Sequence, residues 1–336
     1  MSKGDVAHES GRGGVDLSAP LRAAAGSAVE DEATTTRRPA AVRGRLESFP
    51  YLALLPALIV ISLLTIYPLI YSVDLALHKN VLTQPNRHPF VGLENFSEAL
   101  GNPALHRSVA RTAGFVVLTV GGSVFLGVPI ALLLNEKFLG AKVLQVLILI
   151  PWAIPPVMAG IIWRWMFAGN VGVINGALYS LGLIDNYFSF FGNPATAPLT
   201  VAVALLWKDL PLAVILLLAT LQVIPGELYD AAKIDGGGAW AQFRYITLPF
   251  LRPALTVVLI FQTIISFVTF DLIFAMTGGG PADATTFVAW YTYNEIFTNL
   301  NLGRGAALAF AIAAVTLVMA VFYFLALRSE RLYTDK

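Results

Sequence analysis

The sequence predicts an all-α integral membrane protein: six transmembrane helices, with a short cytoplasmic helix between the fourth and the fifth. Three observations carry this. The 336 residues are 57% hydrophobic and only 13% charged, with a mean hydropathy of +0.70, whereas a soluble domain carries about a quarter charged residues. Apolar runs near the ~20 residues that cross a bilayer recur six times, at about 50–77, 108–134, 142–167, 197–222, 250–276 and 305–327. Between the fourth and fifth runs lies a polar block, Asp230 to Pro249, with Asp230, Lys233, Asp235 and Arg244 set around an Ala-Ala pair and three glycines.

Residues 1–47 stand apart from the membrane domain, which is expected over 48–336. The stretch is rich in Ala, Gly, Arg, Asp and Glu with almost no aliphatic run, so it cannot bury enough surface to order itself. It lacks the short apolar core of a secretory signal, and its acidic residues disfavour a transit peptide. A disordered cytoplasmic tail is expected. A net charge of +1 argues against nucleic-acid binding, which needs a basic face. The absence of cysteine removes disulfides, thiol catalysis and Cys-based metal sites together. His8, His78, His88 and His106 all lie outside the predicted spans, so no metal or catalytic site is expected.

The first span holds Pro56 and Pro68, the third Pro151, Pro155 and Pro156, and the fourth Pro211. Prolines are tolerated in membrane helices where neighbours satisfy the freed carbonyls, so kinked helices packed in a bundle are expected. Lys and Arg at span ends set the orientation. Arg37, Arg38, Arg43 and Arg45 precede the first span, and Lys137 and Lys142 lie between the second and third. Lys233, Arg244 and Arg252 lie in or beside the polar block, and Arg328, Arg331 and Lys336 follow the last span. The loop around 168–196 has no basic residue and the loop after the fifth span has only Arg304, while the first loop, with Lys79, Arg87 and Arg107, dilutes the contrast without reversing it. Both termini and the polar block are therefore expected in the cytoplasm. In the last span Gly305, Ala309 and Ala313 form a small-residue stripe that permits close helix approach, within the bundle or between subunits.

In the polar block, Pro225-Gly226 ends the fourth span, and Glu227 and Asp230 are expected in the first turn of a new helix, where carboxylates complement the helix dipole. Leu228, Ala231 and Ala232 make a narrow apolar face, and Gly236 stops the helix after about two turns. A helix this short is unstable alone in water, so it needs something to rest against. A headgroup-lying helix would show a Lys/Arg-rich polar face and bulky anchors, which this one lacks.

The block resembles the short signature of ABC-transporter permeases, E-A-A, three residues, G, nine residues, I-x-L-P. Asp230-Ala231-Ala232, Gly236, Ile246, Leu248 and Pro249 fall on it, with Asp in place of Glu and with Gly237-Gly238 expected to loosen the turn. PFVGLENF (Pro89–Phe96), LIPWAIPPVMAGIIWRWMF (Leu149–Phe167) and FDLIFAMTGGGPADATTFVAWYTYNEIF (Phe270–Phe297) are similar to carbohydrate-uptake permeases of the maltose and glycerol-3-phosphate type, and MTGGGP (Met276–Pro281) to the first of their two permease subunits. The resemblance covers most of 50–327. It implies a coupling helix, carried by Glu227, Asp230, Ala231, Ala232, Asp235 and Gly236, that docks on a cytoplasmic ATPase. It implies a second homologous permease, two ATPase subunits that bind ATP and Mg, and an extracytoplasmic binding protein that delivers a sugar across the cytoplasmic (inner) membrane. No cofactor is expected in this chain itself, and Gly278-Gly279-Gly280 lacks the spacing of a phosphate loop.

Ionisable groups at membrane depth are functional candidates, which singles out Lys208 and Asp209 half-way along the fourth span; a structural ion pair is the competing reading. Gln262, Ser266 and Thr269 form a polar stripe on the fifth span that either joins helices or meets solute. Phe270 and Asp271 would offer a ring and an acceptor near its outer end, and Arg164, between two tryptophans, an interfacial anchor. A membrane-embedded enzyme would need a nucleophile–base pair or carboxylate cluster in the spans, and none is legible. An ion-coupled carrier typically shows repeats with broken helices, and no repeat is evident. A polyol phosphate such as glycerol-3-phosphate would want more basic groups than Lys208 alone, which tilts the solute toward a neutral sugar.

Overall fold

A computed structural model describes residues 53–84 and 88–327; the predicted tail and the basic residues at 328–336 lie outside them. The chain divides into two compact units, residues 1–68 and 69–336. In the first, the described residues are helical, with a π-helical stretch at Ser62–Ile66. They belong to the helical run α1, Ala53–Leu77, which is long and apolar enough to cross a membrane.

In the second unit, α2 (Glu94–Leu100) precedes the long helix α3 (Pro103–Asn135). The start of α3 follows from its sequence: the Asn102 side chain accepts from the Ala104 N–H, and Pro103 occupies the first turn, where its missing N–H costs nothing. Ser108, Thr112, Phe115, Thr119, Ser123 and Gly127 share its buried face. That face receives α7 (Ala197–Leu221), which packs on α3 along its length. At Gly122 a Cβ would come within 2.8 Å of the Leu206 side chain of α7, so glycine there permits the close approach.

The third predicted span is broken. α4 (Ala141–Ala153) and α5 (Pro156–Met166) meet at 96°. Ile154 (ψ 130°) and Pro155 (ψ 140°) are both extended, because a residue before proline is pushed out of the α region and two prolines follow in succession. A shorter helix, α6 (Val173–Ser180), leads from there toward α7. After α7 comes α8 (Gly226–Ile234), then α9 (Ala239–Val268). The fifth span thus begins within the polar block, well before the expected residue 250, through a π-helical stretch at Phe243–Thr247. It ends at Thr269, whose ψ of 107° breaks the helix, and α10 (Asp271–Met276) follows. The expected single run to 276 is therefore two pieces. α11 (Val288–Tyr293) and the last span, α12 (Leu302–Leu327), complete the bundle.

Two buried apolar clusters fill it. Phe115, Trp163, Phe167, Leu205, Leu272 and Phe287 pack toward the α11 end. Leu134, Val214, Leu217, Leu221, Leu251 and Val258 pack toward the α8 end. The small-residue stripe of α12 is only partly used: Gly305 is buried where a Cβ would collide with Ile296, while Ala309 and Ala313 are exposed.

At the α11 end the chain is tied across long sequence distances. Backbone bridges join His78 to Phe90 and Val81 to Asn301. The Asn95 amide, on α2, donates to the Ala76 and His78 carbonyls at 2.8 and 2.9 Å. Arg304, at the start of α12, reaches Glu98 at 2.6 Å and the buried Glu295 at 3.5 Å. Burial, with Glu295 beside it, pushes the Tyr291 phenol up to about 12.

Candidate functional site

The middle of the bundle holds a cavity of about 220 Å³. Its walls come from the α4–α5 elbow, from α7, and from the break between α9 and α10. Pro156, Lys208, Asp209, Thr269, Phe270 and Asp271 line it. Four of the six residues singled out as solute candidates therefore converge there, from positions about sixty residues apart in sequence. Lys208 Nζ donates to Asp209 Oδ1 at 2.7 Å. The Asp209 side chain is 1% exposed and that of Lys208 12%. The second carboxylate oxygen of Asp209 is buried and accepts no hydrogen bond. A buried, charged acceptor without a donor is costly, and this one belongs to a residue that lines the cavity.

Phe270 is half-buried. Its ring lies stacked on Trp290 (centroids 5.5 Å apart, 17° between planes) and tilted against Tyr293 at 4.6 Å. The break that places it is local chemistry: the Thr269 hydroxyl donates back to the Ile265 carbonyl at 2.6 Å, and the backbone then leaves the helix. Asp271 opens α10 and is exposed.

Gln262 and Ser266 take a different part. Both are buried on α9, outside the cavity lining. Ser266 donates to the Gln262 carbonyl at 2.7 Å and shares a 2.7 Å bond with Thr119 of α3. That is a helix-to-helix contact, the structural alternative for this stripe, and the Gln262 amide nitrogen beside it has no partner. Arg164 donates to the Ala275 carbonyl at 3.3 Å, tying α5 to α10.

The polar block forms the second candidate site. α8 has no buried residue. Glu227, Asp230, Ala231, Asp235 and Gly236 are exposed and Ala232 is half-buried. Glu227 sits in the first turn, but Asp230 lies one turn further on, where it pairs with Lys233 at 3.1 Å rather than with the helix terminus. Leu228 and Ile234 leave 39% and 87% of their surface exposed, and Trp240 and Tyr245 on the start of α9 leave 74% and 76%. The link of α8 to the bundle runs through Tyr229, whose hydroxyl meets Thr247 at 3.0 Å.

The glycines tighten this segment rather than loosen it. Gly236 has φ +79°; its N–H donates to Lys233 and that of Gly237 to the Ala232 carbonyl at 2.7 Å. The paired bonds close the helix in a Schellman arrangement. A Cβ on Gly237 would come within 2.8 Å of the Ala232 carbonyl oxygen, so both positions require glycine. Nothing in the structure explains Gly238.

Pro156 and Leu205 in the cavity wall went unread in the sequence as site residues, whereas Thr269, read as part of the polar stripe, does reach the cavity. The Pro155-Pro156 pair was the available signal for the elbow that brings Pro156 in. Thr119, the partner of Ser266, had no comparable marker.

Residues 123–333 match the family described as "Binding-protein-dependent transport system inner membrane component". Over 279 residues the chain is 36% identical to the sulfoquinovosyl glycerol transport system permease protein SmoG of Agrobacterium fabrum, covering 83% of this chain and 90% of that one. Over 274 residues it is 36% identical to the trehalose/maltose transport system permease protein MalF of Thermococcus litoralis, covering 81% and 91%. Its fold matches a chain of a bacterial ABC transporter involved in the import of the acidic polysaccharide alginate, with a TM-score of 0.71 and 22% identity over 88% of this chain and all of that one.

Proposed function

Because this chain belongs to the family of inner membrane components of binding-protein-dependent transport systems, we propose that it forms half of the translocation pathway of an ATP-driven sugar importer. A binding protein outside the membrane delivers the solute, and a second, homologous permease supplies the other half. Two cytoplasmic ATPase subunits bind ATP and Mg and receive α8 as a coupling helix. Both termini then face the cytoplasm, as the basic residues flanking the spans require.

The observation that carries the solute reading is the buried Lys208–Asp209 pair at the cavity, with one carboxylate oxygen unpaired. Asp209 already engages the Lys208 ammonium, so the pair offers a hydroxyl acceptor rather than free positive charge. That favours a neutral sugar over a polyol phosphate. At about 220 Å³ the cavity is below the roughly 300–1,000 Å³ of a complete small-molecule site, as expected of a half-site. Sugar-transport names among the relatives support a sugar as the solute. ATP binding and solute delivery would each bias one inward-open to outward-open equilibrium.

Gentle purification of the tagged chain from native membranes, with mass spectrometry of what accompanies it, tests the assembly. A second six-span permease, an ATPase and an exported binding protein are expected; a chain that purifies alone under several detergents overturns the coupling role. Asp209→Asn tests the site. Uptake is expected to fall by about tenfold, the worth of one charge-assisted hydrogen bond, while assembly with the partners persists. Lost assembly would make the pair structural.

A further inference from the structure

Beside α8 lies a second, larger cavity of about 900 Å³, between the end of α3, the start of α4 and the turn from α7 into α8. We propose that it seats the phosphate headgroup of an anionic phospholipid. The two spans that border it end at Asn135 and Leu221, so it sits where hydrocarbon gives way to headgroups. Its inner wall includes the apolar Leu134 and Ile224, both buried. Its mouth carries Lys137 and Lys142, which are exposed and make no ion pair among the described residues. Glu136 offsets one of the two charges and leaves the site net positive.

Between the lysines the chain turns at Gly140 (φ +94°), and Leu139 at the tip is fully exposed. A bare leucine flanked by lysines at this depth is the mixture that interfacial segments use, apolar tips in the acyl boundary and cations at the phosphates. Basic recesses between transmembrane helices on the cytoplasmic side are the sites that anionic headgroups occupy. A free phosphate would meet only the lysines, whereas a phospholipid also covers the apolar wall and Leu139. Gly226 and Tyr229 of α8 line the same cavity, so the headgroup lies against the segment proposed to dock. The inference rests on the cytoplasmic orientation proposed above, not on the solute or the ATPase.

The full chain, purified in mild detergent, is titrated with phosphatidylglycerol or phosphatidylcholine, and bound lipid is counted by native mass spectrometry. Phosphatidylglycerol is expected to be held about tenfold more tightly, from the charge of the two lysines. The Lys137→Gln/Lys142→Gln variant is expected to lose that preference with its melting temperature unchanged, and Leu139→Ser to weaken retention with both lysines in place. Millimolar inorganic phosphate should leave the lipid bound. Equal retention of the two lipids, or a preference that survives the double substitution, overturns the proposal. Displacement by phosphate also overturns it, and assigns the cavity to a small anion. Co-purification of the ATPase is scored separately, so either reading can fail alone.

Discussion

The α11 end of the bundle ties its own segments to one another, and the α8 end does not. At the first, Glu98 and Arg304 join segments 206 residues apart in sequence, Arg304 also reaches Glu295, Asn95 holds the Ala76 carbonyl, and Tyr291 and Glu295 are buried in the join. At the second, α8 has no fully buried residue, its ion pair among the described residues spans three residues, and four large apolar side chains are exposed. A short helix that does not bury its apolar face does not hold itself together in water. One end is thus tied together by the fold, while the other leaves its apolar side chains uncovered.

Substitutions at the two ends should therefore report on different things. The largest effect is expected from Ala232→Arg, which puts a long charged side chain on the docking face. Losing a contact of hot-spot size, about 2 kcal/mol, weakens docking by about thirtyfold. ATP-driven uptake by the reconstituted transporter should fall accordingly, with the melting temperature of the chain unmoved. Undiminished uptake would break the contrast, since α8 would then need no partner.

Arg304→Ala comes next and should do the reverse. It strands Glu295, 4% exposed, and so costs about 3 kcal/mol, the low end for breaking a buried pair. Denaturant unfolding in detergent should reveal the loss; an unchanged midpoint would mean that this end is no better tied than the other. The smallest effect is expected from Lys233→Ala. Its pair with Asp230 is 62% and 73% exposed, and exposed pairs contribute roughly 0–1 kcal/mol. The same unfolding measurement should barely move, and a large shift would show α8 to be self-supporting after all.

What was legible in the sequence follows from how far each signal reaches along the chain. Helices such as α3 and α7 are written in long apolar runs, and the α8 stop in Gly236, so both were predictable. The Lys208–Asp209 pair was visible because charge is rare inside an apolar run. The elbow at Pro155-Pro156 was marked as a kink, but its 96° angle comes from two successive extended residues rather than from one missing N–H. The end of α9 at Thr269 was missed because Thr269-Phe270-Asp271 lies in an otherwise continuous apolar run. The Glu98–Arg304–Glu295 join could not be read at all: the partners come from α2, α12 and the segment between α11 and α12, and no local spacing relates them.

The elbow between α4 and α5 has a mechanical consequence. A glycine hinge can swing because its backbone has many accessible angles. Two consecutive prolines are stiffer, since each ring locks φ and holds the residue before it to an extended ψ. The joint is therefore a bracket, with two arms held at a fixed corner. Pro156, at that corner, forms part of the wall around Lys208 and Asp209. A tilt of the α4 arm would thus be carried into the α5 arm and felt at that wall.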